Sequence, residues 1–430
     1  MNQKEDFGCR KNKLSLSSKT VAFCPIVGGS IMSTGWARFA HRFGQYYRTS
    51  EFWTPPRLKS REWMFIPFGD SPPIRHKGFT DMQDVRTFLS ERAMHSCFYS
   101  TAYWKRPYEL KMADKIWQGA DLIFDLDGDH LPGVTDRDFP AMLEVIQEQG
   151  WSLWNDFLQP EFGFDEKYLQ VTFSGHRGFH LHYRDPNLFH LDSEARRELV
   201  SHIRGEGVDV QGGMSRFNEA DSQGWSRRIR DGVDDMILKL QVISNKQGDY
   251  SSILKDLEEG LKAQYKREGT TSQRSATSIK KLAELVNHEA RSKRIREGKF
   301  GALGIYDGLF LNLLKTDSSV VLGNAGETDE VVTIDTRRQI RWPTSLHGKT
   351  GMRVSEFPLN RLDPEGSNPY RPLQEALVLS GQEKLRIEIT VEDAVAQFQD
   401  KRYDLTRGQI LEISEAGATF LVLKGWAKIV

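Results

Sequence analysis

The feature that most constrains this chain is a short run of alternating residues, Leu122-Ile-Phe-Asp-Leu-Asp127. Successive side chains of a β-strand point to opposite faces, so three apolar side chains share one face while Asp125 and Asp127 share the other. The Cα atoms of the two aspartates lie about 7 Å apart in such a strand. Two carboxylates at this spacing repel each other unless a cation lies between them. Oxygen ligands of this kind suit Mg²⁺ or Mn²⁺. The run therefore predicts a metal-binding strand, and the alternative is that the aspartates only cap a turn or helix.

A second segment, Phe173-Ser-Gly-His-Arg-Gly-Phe-His180, predicts two strands joined by a glycine turn, at 169–174 and 179–184. Ser174, Arg177 and His180 can converge there on one anion, and a guanidinium group suits phosphate. The alternative is a simple polar β-turn. Carboxylates for a divalent metal beside a basic, glycine-containing turn for phosphate are what nucleotidyl transfer requires.

A third cluster follows at 337–350, where five basic side chains occur within a short span: Arg337, Arg338, Arg341, His347 and Lys349. Two acidic residues, Asp329 and Asp335, precede it. The Gly-Lys-Thr at its end resembles part of a phosphate-binding P-loop. Pro343 occupies the place of the upstream glycine, so we do not predict a P-loop.

The aspartate run also resembles the opening motif of haloacid-dehalogenase-type phosphatases, in which the first aspartate is the nucleophile. Three observations argue against that class. Asp129 stands where a threonine or valine is expected, a long segment precedes the motif, and the class does not explain the glycine turn at 174–178.

Composition limits the possible partners. The chain has 430 residues with 59 basic and 59 acidic side chains, so nucleic acid must be bound by a local basic surface. The three cysteines, Cys9, Cys24 and Cys97, form no closely spaced pair, which predicts reduced thiols in a cytoplasmic protein and excludes a cysteine zinc site. No uncharged apolar stretch of about 18 residues occurs, so we expect no membrane partner.

Hydrophobic periodicity predicts helices at 35–47, 81–93 and 138–150, a strand at 120–127, and a hairpin that joins strands at 63–68 and 75–79. After residue 323 we expect strands and turns. These include residues 331–335 and two or three alternating strands at 409–430.

This reading divides the chain into three parts. The polar residues 1–31 are predicted to be a disordered extension, or to precede the true start at Met32. Residues 191–300 read as a helical subdomain inserted into a core formed by residues 32–190 and 301–430. The predicted fold class is α+β, with mixed sheets and flanking helices.

Taken together, the segments resemble the catalytic small subunit of archaeal and eukaryotic-type DNA primases, most closely the archaeal members. The resemblance runs from Met32 to about residue 360 and rests on motifs in the order of that family. They are Arg61-Glu-Trp with Ile74-Arg-His-Lys-Gly-Phe79, Phe124-Asp-Leu-Asp127, Ser174-Gly-His-Arg-Gly-Phe-His180, and Val332-Thr333 followed by Arg341 and Ser345-Leu-His-Gly-Lys-Thr-Gly351.

The resemblance implies a set of site residues. The metal ligands would be Asp125, Asp127 and Asp329, with Asp335 as the competitor for the third position. Glu62 and Arg75 would lie beside the metals. The residues that hold the triphosphate of the incoming nucleotide would be Ser174, Arg177, His180, Arg341 and His347. His176 replaces an arginine of many eukaryotic members, so we assign it no phosphate contact.

The implied activity is template-directed synthesis of short primers on single-stranded DNA from NTPs or dNTPs, with two Mg²⁺ or Mn²⁺ ions. The implied partner is a large regulatory subunit in a heterodimer. Many members carry a zinc cluster between the aspartates and the glycine turn, but residues 128–173 contain no cysteine and only His130, so we predict no zinc there. The rival hypotheses are the phosphatase and an inactive nucleic-acid-binding subunit.

Overall fold

The computed structural model describes residues 34–128, 135–205, 212, 224–267, 276–299, 301–316, 330–379, 381 and 384–430. The predicted extension at 1–31, His130 and Asp329 lie outside these ranges. Within them the chain has an α+β fold of helices and several small sheets, as the sequence predicts.

The strands, in chain order, are β1 Trp63–Pro67, β2 Ile74–Lys77, β3 Met94–Ser100, β4 Ala102–Trp104, β5 Trp117–Ala120, β6 Leu122–Asp127, β7 Leu169–Phe173, β8 Gly178–Tyr183, β9 Gln339–Arg341, β10 Ser355–Phe357, β11 Lys384–Ile389, β12 Ala394–Phe398, β13 Lys401–Leu405, β14 Ile410–Ser414 and β15 Ala427–Ile429. The pairings between these strands are antiparallel.

The α-helices are Thr34–Thr49, Met82–Glu91, Met112–Lys115, Phe139–Leu153, Ser193–Ile203, Gly224–Asn245, Tyr250–Arg267, Ala276–Val286, Glu289–Arg296, Asp307–Thr316, Glu330–Ile334, Pro372–Glu375 and Glu415–Leu423. No helix in the described part of the chain is both long and apolar enough to span a bilayer.

The first sheet has the strand order β2-β1-β3-β9, and the predicted hairpin is its β1–β2 pair. Helix Thr34–Thr49 packs against this sheet and buries Phe39, Phe43 and Tyr47, which are residues of one helical face. An aromatic core between helix and sheet therefore supports the strands that lie beside the predicted site.

The second sheet has the order β10-β7-β8-β6 and carries both main motifs. The apolar face of β6 packs against helix Phe139–Leu153, whereas Ile123 on its other face joins the aromatic core of the first sheet. The alternation predicted for this strand is confirmed. Because Asp125 and Asp127 share a face with Ile123, the carboxylates lie on the side of the second sheet that turns towards the first.

Five helices between residues 224 and 316 enclose a hydrophobic core of their own, which includes Val233, Leu240, Leu282 and Leu313. This core extends past residue 300 into helix Asp307–Thr316. The division into a catalytic core and an inserted helical subdomain stays a prediction.

One local prediction is wrong and another is incomplete. The segment at 331–335 is not a strand, because helix Glu330–Ile334 packs between β6 and helix Ser193–Ile203. In the stretch 409–430, β14 and β15 confirm two of the expected strands, but helix Glu415–Leu423, which was not predicted, separates them. The hydroxyl of Ser414 caps that helix by accepting from the Gly417 N–H at 3.3 Å. Burial in both places overrides the strand preference of Val, Ile and Thr.

Candidate active site

The two aspartates lie at the end of β6, opposite residues of the glycine turn. Asp125 pairs across the sheet with His180, and Asp127 pairs with Gly178. The side chain of Asp125 is 18% exposed and that of Asp127 is 42% exposed. The strand end thus presents one shielded and one open carboxylate on the same face.

Asp125 forms an ion pair with a buried histidine. His180 Nε2 lies 3.2 Å from Asp125 Oδ1. Burial raises the pKa of the Asp125 carboxyl, but His180, Arg338 and Arg341 together outweigh burial, and the pKa lies below its usual value. Asp125 is therefore ionised at neutral pH and can bind a cation. The buried Nδ1 of His180 makes no hydrogen bond with the described residues.

Asp127 is paired with the arginine of the glycine turn. Arg177 Nε lies 3.1 Å from Asp127 Oδ1. Burial raises the pKa of Asp127, Arg177 opposes this effect, and the charge of Asp125 adds to it, so the pKa lies above its usual value. The two carboxylates thus repel each other across the strand end, as expected for a pair that shares a divalent cation.

The turn between β7 and β8 is held by the hydroxyl of Ser174. Its Oγ accepts from the N–H groups of Gly178 at 3.1 Å and His176 at 3.4 Å. A Cβ at Gly178 would lie 2.7 Å from the Leu126 carbonyl oxygen, so only glycine fits at this position. In the contacts described, Ser174 only accepts, which leaves its hydroxyl proton for an anion.

The loop after β9 locks onto this turn. The hydroxyl of Thr350 donates to the Gly175 carbonyl at 2.5 Å, and a Cβ at Gly175 would lie 2.9 Å from His347 Cβ. His347 Nδ1 accepts from the Lys349 N–H at 3.2 Å. Burial, with the charge of Arg341, holds the pKa of His347 well below its usual value. The ring is therefore neutral, with its proton on Nε2, and can donate to a phosphate oxygen.

His176 is a neutral member of a stack of rings. Its ring lies 4.9 Å from that of His347 and 5.9 Å from that of Phe139. Burial and the nearby Lys424 lower the pKa of His176 to about 3. It does not take over the charge of the arginine that many eukaryotic primases carry here.

Arg341 reaches the site from the edge strand β9 of the first sheet. It donates to Ser96 Oγ at 3.4 Å, and its guanidinium lies 4.8 Å from the Phe98 ring centre. Burial lowers the pKa of Arg341 to about 10, although Asp125 and Asp127 oppose this shift. Arg341 therefore stays charged at neutral pH and lies within electrostatic range of both aspartates.

Comparison with known proteins agrees with this geometry. The family model of the DNA primase small subunit matches residues 124–358, which is more than half of the chain and includes both aspartates, the glycine turn and the loop of His347. The chain is 34% identical to the DNA primase small subunit PriS of Methanothrix thermoacetophila over 412 residues, covering 90% of this chain and 97% of that protein. It is 32% identical to the PriS of Methanocella arvoryzae, covering 90% and 96%.

The chain belongs to the DNA primase small subunit family. The enzyme is a nucleotidyltransferase of the archaeal primase type, and the family implies dependence on a divalent metal ion. The phosphatase class, which the aspartate pair alone allowed, is wrong.

The third predicted metal ligand of the family, Asp329, lies outside the described residues. Helix Glu330–Ile334, which follows it, packs against β6. The carboxylate of its competitor, Asp335, accepts from the Arg337 N–H at 2.9 Å and so closes a local turn. Among the described residues, no group of three or more His, Cys, Asp or Glu is placed to hold a metal. The choice between Asp329 and Asp335 stays a prediction.

Glu62 and Arg75, which the primase resemblance placed beside the metals, lie in a polar cluster on the first sheet. Arg75 lies 3.6 Å from Glu62, and the buried Lys115 lies 2.9 Å from it. His76 Nδ1 lies 3.2 Å from the same carboxylate. No contact in the described part of the chain joins this cluster to Asp125 or Asp127, so their role stays a prediction.

Sequence reasoning missed the buried network around Asp121. Its carboxylate accepts from Arg61 at 2.9 Å, from Arg184 at 3.1 Å and from the Tyr103 hydroxyl. Asp121 directly precedes β6, and an aspartate at the start of an apolar strand was the available signal. A fully buried carboxylate requires such partners, and here they fix the start of the catalytic strand.

Proposed function

We propose that this chain is a catalytic primase subunit that synthesises short primers on single-stranded DNA by metal-dependent nucleotidyl transfer. The observation that carries the proposal is the end of β6. There Asp125 and Asp127 share one face and lie beside His180 and Arg177 of the glycine turn. Metal-binding carboxylates and phosphate-binding groups must be adjacent for this chemistry, because a bound metal would neutralise charge on the same phosphate that these groups hold.

The carboxylate pair fits a hard divalent cation. Both ligands are oxygens, Asp125 is ionised, and Asp127 presents a carboxylate that is 42% exposed beside Arg177. Asp125, Asp127 and Asp329 would hold two Mg²⁺ or Mn²⁺ ions. When bound, such ions lower the pKa of the attacking 3′ hydroxyl and neutralise charge on the α-phosphate and the pyrophosphate.

The residues around the turn suit a triphosphate. Arg177 and Arg341 supply two positive charges. Three further groups supply hydrogen-bond donors, namely Ser174, His180 and His347. Charged and neutral donors that converge from two sheets can hold the β- and γ-phosphates without reorganising during the reaction. The chain then aligns the nucleotide, while a base pair with the template selects it.

Partners follow from the relatives. Their name, DNA primase small subunit, describes one subunit of a primase, and we propose that this chain pairs with a large regulatory subunit. The template would lie on a basic surface and be read by base pairing. Both NTPs and dNTPs fit the phosphate-binding groups, which contact no sugar in this proposal.

The test is incorporation of labelled nucleotides on single-stranded DNA with Mg²⁺ or Mn²⁺. We expect Asp127→Asn to lower kcat at least 100-fold, because it removes a charged metal ligand while it preserves size. As a matched control, Asp165→Asn removes a carboxylate from the surface, where Asp165 pairs with Lys167, and should leave kcat unchanged.

Equal activity of Asp127→Asn and wild type would contradict the proposed metal site. If wild type synthesises no primer with or without a large subunit, yet retains metal and DNA binding, the inactive nucleic-acid-binding alternative is correct instead. The variant pair Asp329→Asn and Asp335→Asn decides the third ligand by the same assay, because we expect only the first to lose activity.

A further inference from the structure

A lysine from the far end of the chain lies within electrostatic range of Arg177, a residue of the proposed triphosphate site. Lys424 follows helix Glu415–Leu423 directly, and its N–H donates to the Phe420 carbonyl at 2.9 Å. That helix packs beneath the loop of His347, since a Cβ at Gly351 would lie 2.9 Å from Thr419 Cγ2 and 3.4 Å from Leu423 Cδ1. Lys424 lies outside the residues that the family model matches.

Two aromatic rings fix the position of its ammonium group. Lys424 Nζ lies 4.7 Å from the Phe139 ring centre and 4.6 Å from that of Trp426, within the range of cation–π attraction. Phe139 stacks on His176, and His176 stacks on His347. A continuous row of side chains thus leads from Lys424 to a proposed phosphate ligand.

The charges around Lys424 favour an anion. Burial, together with the positive charges of Arg177 and Lys349, lowers the pKa of Lys424 to about 8, while Asp136 opposes this shift. Lys424 still carries its proton at neutral pH. Three cations from three separate segments therefore act on one another, and among the described residues Asp136 lies near Lys424 and Asp127 pairs with Arg177. Cations that repel each other are stabilised when a phosphate group binds between them.

We propose that Lys424 is a further binding residue of this enzyme and contacts the β- or γ-phosphate of the incoming nucleotide. This inference rests on the proposed function, because it assigns the cation to the same triphosphate. The aromatic rings of Phe139 and Trp426 would hold the ammonium group in place before the nucleotide arrives, which lowers the entropy cost of the contact.

The test compares Lys424→Met with wild type in two assays, direct binding of labelled ATP with Mg²⁺ and the KM for NTP in primer synthesis. We expect ATP affinity to fall about 10- to 100-fold, the usual range for one charged hydrogen bond, and AMP affinity to stay unchanged. Lys424→Arg should restore most of the ATP affinity, since it keeps the charge. The control Lys428→Met removes an exposed lysine that pairs with Glu388, and should bind ATP normally.

The pH dependence gives a second readout. Wild type should bind ATP more weakly as the pH rises through about 8, where Lys424 loses its proton, whereas Lys424→Arg should not show this weakening. Arg177 keeps its charge in both proteins, so the difference between them isolates Lys424.

The outcomes separate this inference from the proposed function. Equal ATP affinities of Lys424→Met and wild type would overturn the role of Lys424, provided that circular dichroism shows both proteins to be folded. Wild type that binds ATP but makes no primer would contradict the proposed function only, and the binding comparison would still decide the role of Lys424. Wild type that binds no ATP would overturn both.

Discussion

At the scale of single residues, the site depends on positions where one side chain alone fits. Gly178 lets β8 approach β6 closely, because a Cβ there would contact the Leu126 carbonyl oxygen at 2.7 Å. That close approach brings Arg177 to Asp127 and His180 to Asp125. The glycine turn therefore positions Arg177 and His180 against the two carboxylates as well as forming a loop.

The stacked His176 predicts a pH dependence of stability. Its pKa is about 3 in the folded chain and about 6.5 when unfolded, so the unfolded state binds more protons between these values. The stability that the neutral ring contributes is present above pH 6.5 and is lost as the pH falls towards 3, by up to about 1.4 kcal/mol per pH unit. We expect His176→Phe, which keeps the ring stack, to lose less Tm than wild type between pH 6.5 and 4.

The control for this measurement is His190→Phe, since His190 is exposed and should leave the slope of Tm against pH unchanged. Identical slopes for His176→Phe and wild type would contradict the assignment of a buried neutral ring.

At the scale of secondary-structure elements, Arg196 ties three segments together. Its guanidinium donates to the carbonyls of Leu191 at 3.0 Å, Asp121 at 2.9 Å, Ala120 at 3.1 Å and Thr333 at 3.4 Å. It thereby joins helix Ser193–Ile203 to the start of β6 and to helix Glu330–Ile334. This buried side chain links helix Glu330–Ile334, which follows Asp329, to β6.

We expect Arg196→Met to lower the free energy of unfolding by about 2–5 kcal/mol, because it leaves several buried carbonyl groups without a donor. Thermal or urea denaturation measures the change. Arg197→Met replaces the exposed neighbour on the same helix and should shift stability by less than about 0.5 kcal/mol. If Arg196→Met leaves the free energy of unfolding unchanged, water or neighbouring groups must supply the hydrogen bonds that the guanidinium donates.

At the scale of the whole molecule, the described residues form two kinds of core. The two sheets share cores around β6 and place the site between them, whereas the helices between 224 and 316 bury a separate set of apolar residues. Regions with separate cores unfold locally with separate free energies.

This separation predicts where a core mutation acts. Leu240→Ala, at a fully buried position of the helical core, should cost about 2–5 kcal/mol. Hydrogen exchange should rise in the five helices between 224 and 316 and stay unchanged in β6, β7 and β8, with KM for NTP unaffected. Phe124→Ala should raise hydrogen exchange in β6, β7 and β8 and leave it unchanged in the helices between 224 and 316. If Leu240→Ala instead raises hydrogen exchange in both regions, the two cores are not separate.

The sequence by itself determined those properties of the protein that follow from local periodicity and from the order of the motifs. The alternation of residues 122–127 placed Asp125 and Asp127 on one face, the glycines of the 174–178 turn indicated an anion-binding loop, and the order of the motifs identified the family. These properties depend on neighbours in the chain, so a strand period or a turn residue suffices to predict them.

Only the tertiary structure decided which distant groups meet. Asp121 and Lys424 carried no motif, yet one anchors the catalytic strand and the other lies near Arg177. The helix at 330–334 replaced an expected strand because β6 and Arg196 enclose it. The physical reason is that burial, ring stacking and charge pairing depend on which faces of separate elements pack together. The periodicity of a sequence defines one face of an element but does not determine which other element packs against that face.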